Sequence, residues 1–201
     1  MSAKRRVGLF GGSFDPVHVG HVALAHAALA QLGLDAVRWI PVGTAWQKSL
    51  QFAGCAHREA MVRIAISGEP RFVLDRTEIR RKGPSFTLDT VREKVAYEPE
   101  IDWLLILGED QYAGLHTWRD WRELVSLVMI AIAERPGVSA EADPQVAELA
   151  RTVRIAFPEI DVSSTDVRER VAAGRPIGDL VPPGVARYID QHGLYGARTR
   201  S

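Results

Sequence analysis

Two short stretches of this 201-residue chain hold the residue types that could do chemistry. The first runs Gly11-Gly12-Ser13-Phe14-Asp15-Pro16-Val17-His18-Val19-Gly20-His21, directly behind the apolar run Val7-Gly8-Leu9-Phe10. It reads as a buried strand, a glycine-rich turn and a helix that opens with two histidines. Such a junction turns backbone N–H groups and the positive end of a helix dipole toward whatever lies above it, which suits a phosphate. The glycines let the chain turn and let a ligand approach the backbone closely. Asp15 followed by Pro16 reads as a cap and first turn. His18 and His21 are three apart and share a helical face, and Gly20 leaves that face open.

The second stretch, Ser163-Ser164-Thr165-Asp166-Val167-Arg168, follows Ile160-Asp161-Val162. Ser163 with Asp166 three residues on has the form of a reciprocal cap opening a helix. Arg168 is read in the first turn, where a cation faces the positive dipole end and is mildly disfavoured. An anionic ligand in front of that helix reverses the sign. Read alone, the segment is also compatible with an ordinary capped helix carrying a solvated arginine.

The elements that must position these stretches alternate along the chain. Short apolar, β-branched runs fall at 7–10, 37–42, 72–74, 103–107, 127–133 and 153–157, with helix-like stretches at 19–32, 56–67, 87–97 and near 112–124. A continuously apolar run such as Trp103-Leu104-Leu105-Ile106-Leu107 is what a sheet covered on both faces requires. The alternation predicts an α/β fold: a Rossmann-like, doubly wound parallel sheet of about six strands. Ligands of such sheets sit beyond the carboxyl ends of the strands, near the switch point, and Gly11–His21 falls at such an end. After Glu159 the pattern changes to short helices at 165–173 and 183–192. The chain therefore reads as a single domain over 1–201, with a short helical C-terminal appendage over about 160–195.

Composition narrows the classes. Hydrophobic residues at 46% and charged residues at 25% are those of an ordinary soluble domain. A net charge of zero argues against nucleic acid or a membrane surface as partner. Cys55 is the only cysteine, so no intrachain disulfide and no cysteine-based zinc site is available. The longest apolar segment, 124–133, is too short to span a bilayer. A cytoplasmic location is expected.

The first string resembles the signature of nucleotidyltransferases that carry a His-x-Gly-His motif. The second resembles their Ile-Ser-Ser-Thr-x-x-Arg signature, with Val162 in place of the isoleucine. Between them lie Pro41-Val42-Gly43-Thr44-Ala45-Trp46-Gln47-Lys48, Gly83-Pro84-Ser85-Phe86-Thr87-Leu88-Asp89-Thr90, Leu107-Gly108-Glu109-Asp110 and Trp118-Arg119-Asp120-Trp121. With these, residues 7–195 resemble the bacterial nicotinate-nucleotide adenylyltransferases. The resemblance implies an enzyme that transfers the adenylyl group of ATP to nicotinate mononucleotide, giving deamido-NAD and pyrophosphate. It implies His18, His21 and Arg168 as catalytic residues, with Gly11, Gly12, Ser13, Phe14, Asp110, Ser163 and Ser164 joining them around ATP. It places Lys48, Thr87, Trp118 and Arg135 around the mononucleotide, with Trp118 stacked on the pyridine ring and the Thr87 N–H facing its carboxylate. Trp118 and Trp121 also fit as plain core residues.

Mg²⁺ is expected to arrive bound to ATP, with no metal site on the protein itself. The partners implied are ATP and nicotinate mononucleotide, with a homo-oligomer possible. Related transferases acting on nicotinamide mononucleotide or phosphopantetheine, and a non-catalytic nucleotide-binding regulator, are the alternatives. Two departures stand out. The family loop carries Pro-Pro-His-Lys where this chain has Ala45-Trp46-Gln47-Lys48, and Glu109 is bulkier than the small residue expected before Asp110.

Overall fold

The structure, a computed structural model, describes residues 4–43, 53–134, 142–157 and 160–196. Its elements are β1 (Arg6–Gly12), α1 (Val19–Leu32), β2 (Ala36–Pro41), α2 (Cys55–Ile66), β3 (Phe72–Leu74), α3 (Thr77–Arg80), α4 (Thr87–Tyr97), β4 (Asp102–Gly108) and α5 (Glu109–Ala113). A 3₁₀ turn at Leu115–Thr117 leads to α6 (Trp121–Leu127), β5 (Met129–Glu134), α7 (Pro144–Leu149), β6 (Thr152–Ala156), α8 (Ser164–Ala172) and α9 (Pro183–Gln191). A last 3₁₀ turn covers Leu194–Gly196.

The strands form one six-stranded sheet in the order β3-β2-β1-β4-β5-β6, as the alternating pattern predicts. β4 lies parallel to β1, with Val7 opposite Trp103 and Leu9 opposite Leu105, and β5 and β6 follow in parallel. The order reverses between β1 and β4, which makes their carboxyl ends the switch point where ligands of such sheets bind. Val7 to Phe10 of β1 and Trp103 to Leu107 of β4 are buried without a break. Both faces of the sheet are therefore covered, and each fully buried large side chain contributes about 1.5–3 kcal/mol of transfer free energy.

Contacts sort the chain into two compact units whose segments interleave along the sequence. One comprises Met1–Gly11, Leu24–Arg38 and Ser85–Glu159; the other comprises Gly12–Ala23, Trp39–Pro84 and Ile160–Ser201. In the first unit, Leu104, Ile106, Ile130, Ile132 and Ile155 make a fully buried core. Helix α4 packs on α6, tied by the Arg92 guanidinium, which donates to both oxygens of Glu123 at 2.7 and 2.5 Å. At the last strand, the Gln31 side chain donates to the Ala156 carbonyl at 2.7 Å and accepts the Ala156 N–H at 2.9 Å.

In the second unit, the Trp39 ring is fully buried and lies 5.3 Å from Phe14 and 5.5 Å from Phe72. Helix α2 packs on α9, where the Tyr188 hydroxyl and the His57 Nδ1 lie 3.0 Å apart.

One stretch differs from the sequence reading. Residues 112–124 are not a single helix. Helix α5 ends at Gly114, a 3₁₀ turn follows, and Asp120 sits in the left-handed region at φ 49° before α6 begins. Asp is among the few non-glycine residues that adopt this conformation readily. Among the described residues, no helix is long and apolar enough to cross a membrane.

Candidate active site

The turn leaving β1 is organised by Asp15, and not in the expected way. Helix α1 starts at Val19, and the residue in the cap position is His18, whose carbonyl accepts the N–H groups of His21 and Val22. Asp15 instead points inward and is wholly buried. Its Oδ1 accepts the Ala53 N–H at 3.1 Å and the Tyr195 hydroxyl, while its backbone carbonyl accepts Arg168 Nη1 at 2.7 Å. Burial lifts the Asp15 carboxyl above the ordinary aspartate range, against the opposing pull of Tyr195, the Ala53 N–H, Arg168 and Arg58. Arg58 of α2 is itself buried and donates to the carbonyls of Ser13 at 2.9 Å and Gly43 at 2.7 Å. One guanidinium thus fixes the loops that leave β1 and β2.

The two histidines do meet, though not as residues on one helical face. The His18 N–H donates to His21 Nδ1 at 3.2 Å, and the rings stack with centroids 3.6 Å apart. Burial first, and the neighbouring His18 second, hold the His21 pKa well below the usual histidine value. A neutral ring whose Nδ1 accepts a hydrogen bond carries its proton on Nε2, so His21 presents an N–H donor. Gly20 does not leave an open face. An added Cβ there would lie 3.1 Å from His18 Nδ1 and 3.2 Å from Val162 Cγ1, so the missing side chain is what lets His18 pack.

The second stretch caps a helix as predicted and is bonded onto the first. Ser163 Oγ accepts the Asp166 N–H at 3.1 Å and the Ser163 N–H donates to Asp166 Oδ2 at 3.0 Å, closing the reciprocal cap. The Ser163 hydroxyl also donates to Asp166 Oδ2 at 2.5 Å, and this bond, with the smaller pull of the Ser163 N–H, takes the Asp166 carboxyl below its ordinary range. Ser164 Oγ donates to the Pro16 carbonyl at 2.9 Å. Arg168 is the fifth residue of α8, past the first turn where it was expected, so the dipole penalty on it is weaker. Its Nη2 also donates to Thr165 Oγ1 at 3.2 Å. A cavity of about 580 Å³ opens beside Thr165, Arg168 and Tyr195.

In the other unit, a pocket of about 280 Å³ is lined by Ser85, Phe86, Thr87, Thr117, Trp118 and Arg119, among others. Thr87 is the first residue of α4, and no described side chain caps that helix. Its first N–H groups form a positive dipole end with no side-chain cap. The Ser85 Oγ is buried with no hydrogen-bond partner among the described residues. Trp118 is half-buried on this pocket, whereas Trp121 belongs to the core. Arg119 lies over the Phe86 ring at 4.8 Å.

Asp110 is exposed in the first turn of α5, at the end of β4, and the cap of that helix is Gly108. Gly11 and Gly12 close β1, with the Gly12 carbonyl accepting the Val42 N–H at 3.0 Å. Lys48 and Arg135 lie outside the described residues. Arg58 and Tyr195 carry no motif signal as organisers of the turn, and Asp15 was read for a different role.

These features are those of an α/β nucleotide-handling protein, and residues 9–170 match the cytidylyltransferase-like family. The chain is 48% identical over 199 residues to a probable nicotinate-nucleotide adenylyltransferase of Methylibium petroleiphilum, covering 96% of this chain and 94% of that one. A protein of the same description from Albidiferax ferrireducens is 44% identical over 194 residues, covering 95% and 98%. The chain belongs to the cytidylyltransferase-like family and, within it, to the nicotinate-nucleotide adenylyltransferases.

Among solved structures, Plasmodium falciparum nicotinic acid mononucleotide adenylyltransferase complexed with NaAD superposes with a TM-score of 0.78 at 20% identity, over 98% of this chain and 100% of that one. The same protein complexed with APC gives 0.79 at 18% identity, over 98% and 100%. At these identities the likeness speaks for the fold.

Proposed function

We propose that this protein joins nicotinate mononucleotide to the adenylyl group of ATP, forming deamido-NAD and pyrophosphate in cytoplasmic NAD biosynthesis. The observation that carries the reading is the bonding of Ser164 and Arg168 onto the backbone of the turn that ends in His18 and His21. Two helix starts and three cationic or N–H-donating side chains then serve one anion. In this reading His18 and His21 meet the α- and β-phosphates, with the neutral His21 donating from Nε2. Arg168, Ser164 and the Ser163 backbone take the β- and γ-phosphates. Gly11, Gly12, Ser13 and Phe14 supply close backbone, and Asp110 serves the adenosine side. Thr87 receives the nicotinate carboxylate, Trp118 stacks on the pyridine, and Lys48 and Arg135 are cations for phosphate.

The chemistry asks little covalent work of the protein. A phosphate oxygen of the mononucleotide bonds to the α-phosphorus, and the bond to the bridging oxygen breaks as pyrophosphate leaves. With a second pKa near ~6 the attacking phosphate is already deprotonated at neutral pH, so no general base is required. Alignment of the two anions contributes roughly 7–11 kcal/mol and each preorganised donor about 3 kcal/mol. Mg²⁺ enters with ATP as part of the substrate and neutralises its phosphate oxygens. Among the described residues, no group of three or more His, Cys, Asp or Glu is placed to hold a metal ion.

The test is pyrophosphate release from ATP with three acceptors: the acid mononucleotide, its amide and phosphopantetheine. A carboxamide would turn an N–H₂ toward the N–H donors of α4. One or two such mismatches at ~1–3 kcal/mol each predict roughly ten- to several-thousand-fold preference for the acid. Equal use of acid and amide overturns the carboxylate site. Preference for phosphopantetheine, or no release with any acceptor, overturns the function.

A further inference from the structure

We propose that Tyr195 is a positioning residue for the nucleotide-phosphate turn: its hydroxyl, donated to the buried Asp15 carboxylate, holds the backbone that Arg168 binds and that ends in His18 and His21. The inference rests on the reading of that turn as the ATP site. Tyr195 lies in the last described segment, a 3₁₀ turn packed against α8, and its side chain reaches a residue 180 positions earlier. The contact is built at both ends from unusual backbone. Tyr195 sits in the left-handed region at φ 56°, between Gly193 at 58° and Gly196 at 82°. Phe14, directly before Asp15, sits at φ 47°. Neither aromatic residue adopts that region without surrounding structure to enforce it, and such outliers cluster where geometry serves a site.

Asp15 is faced by Tyr195 from the chain end, Arg168 from α8, Arg58 from α2 and the Ala53 N–H. Its Oδ2 is buried and has no hydrogen-bond partner among the described residues. Removing the hydroxyl leaves the carboxylate one N–H donor, from Ala53, and the turn loses its tie to the C-terminal segment. Burial first, then the hydrogen bond to Asp15 and that group's charge, push the Tyr195 phenol up, so it remains a proton donor throughout the neutral range.

Tyr195→Phe deletes a single oxygen. In steady-state assays it is expected to lower kcat/KM for ATP on the order of tenfold, with the acceptor KM nearly unchanged and the melting temperature lowered by only a few degrees. Because the hydroxyl pulls the Asp15 carboxyl down, its loss moves the acid limb of kcat/KM for ATP to higher pH. Combined with Asp15→Asn, which keeps an oxygen acceptor but does not titrate, Tyr195→Phe should no longer move that limb. Unchanged ATP kinetics, or losses for both substrates that merely track a fall in melting temperature, overturn the proposal. A limb that still moves on the Asp15→Asn background also overturns it. Calorimetric binding of a non-hydrolysable ATP analogue reads the same tie without turnover. A roughly tenfold weakening in Tyr195→Phe supports the proposal even if the wild type transfers no adenylyl group, and equal affinity overturns it.

Discussion

His21 concentrates the proposed chemistry of the turn after β1 in one ring. Its Nδ1 is occupied by the His18 N–H at 3.2 Å, so only Nε2 is available to a substrate. His21→Ala is expected to lose on the order of 10²–10³ in turnover, the usual effect of deleting one transition-state donor, while circular dichroism shows an intact fold. The depressed pKa of the same ring gives a second expectation. A histidine held neutral in the folded state binds fewer protons than in the unfolded chain, so its contribution to stability is full above the unfolded pKa near ~6.5 and declines as pH falls below it. Melting temperatures measured from pH 7.5 to 5.5 should therefore fall less steeply in His21→Asn than in the wild type. Identical slopes would show that His21 titrates normally. The helix that opens beside the two histidines and the capped helix start at Ser163 were legible in the sequence because both follow from local spacing. Asp15, Arg58 and Tyr195 were not, because each acts through a contact between distant segments, and a buried arginine on α2 looks like any surface arginine until the fold closes.

At the scale of elements, what matters is how closely helices and turns are allowed to approach. Gly20→Ala removes a helix-destabilising glycine, a gain of up to about 1 kcal/mol, yet sets a methyl group 3.1 Å from His18 Nδ1. Stability should change by less than about 1 kcal/mol while kcat falls at least tenfold, since a misplacement near 1 Å can cost about 10² in rate. Calorimetry and kinetics on one preparation check both halves.

The two tryptophans separate pocket from core in the same manner. Trp118→Ala should raise the acceptor KM about 5- to 150-fold with little change in melting temperature, because ring stacking is worth ~1–3 kcal/mol. Trp121→Ala should cost about 3–5 kcal/mol of stability, because that ring is buried. The strands were readable because doubly covered strands are apolar without interruption, and five residues in a row of β4 are buried. The path from α5 to α6 was not, because its apolar residues keep helical spacing across a 3₁₀ turn and a left-handed Asp120, and only the backbone reveals the break.

For the molecule as a whole, the strand order puts β3 and β6 at the two margins of the sheet, where unpaired backbone invites another chain. β3 manages this by brevity, having three residues. At β6 the end of the strand is met by Gln31, whose amide both donates to and accepts from Ala156. A carboxamide has the donor and acceptor of a peptide group, so this one side chain stands in for the first peptide of a seventh strand. The backbone that would template a neighbour is already answered from within. Gln31→Leu keeps the helix-forming character of α1 but returns both groups of Ala156 to solvent. Light scattering at a mildly destabilising temperature should show that variant aggregating earlier than the wild type, at nearly equal melting temperature. Equal onset would mean that β6 is guarded elsewhere. On this account a single surface glutamine marks where the sheet stops growing, and with it the boundary between a folded enzyme and a seed for its own assembly.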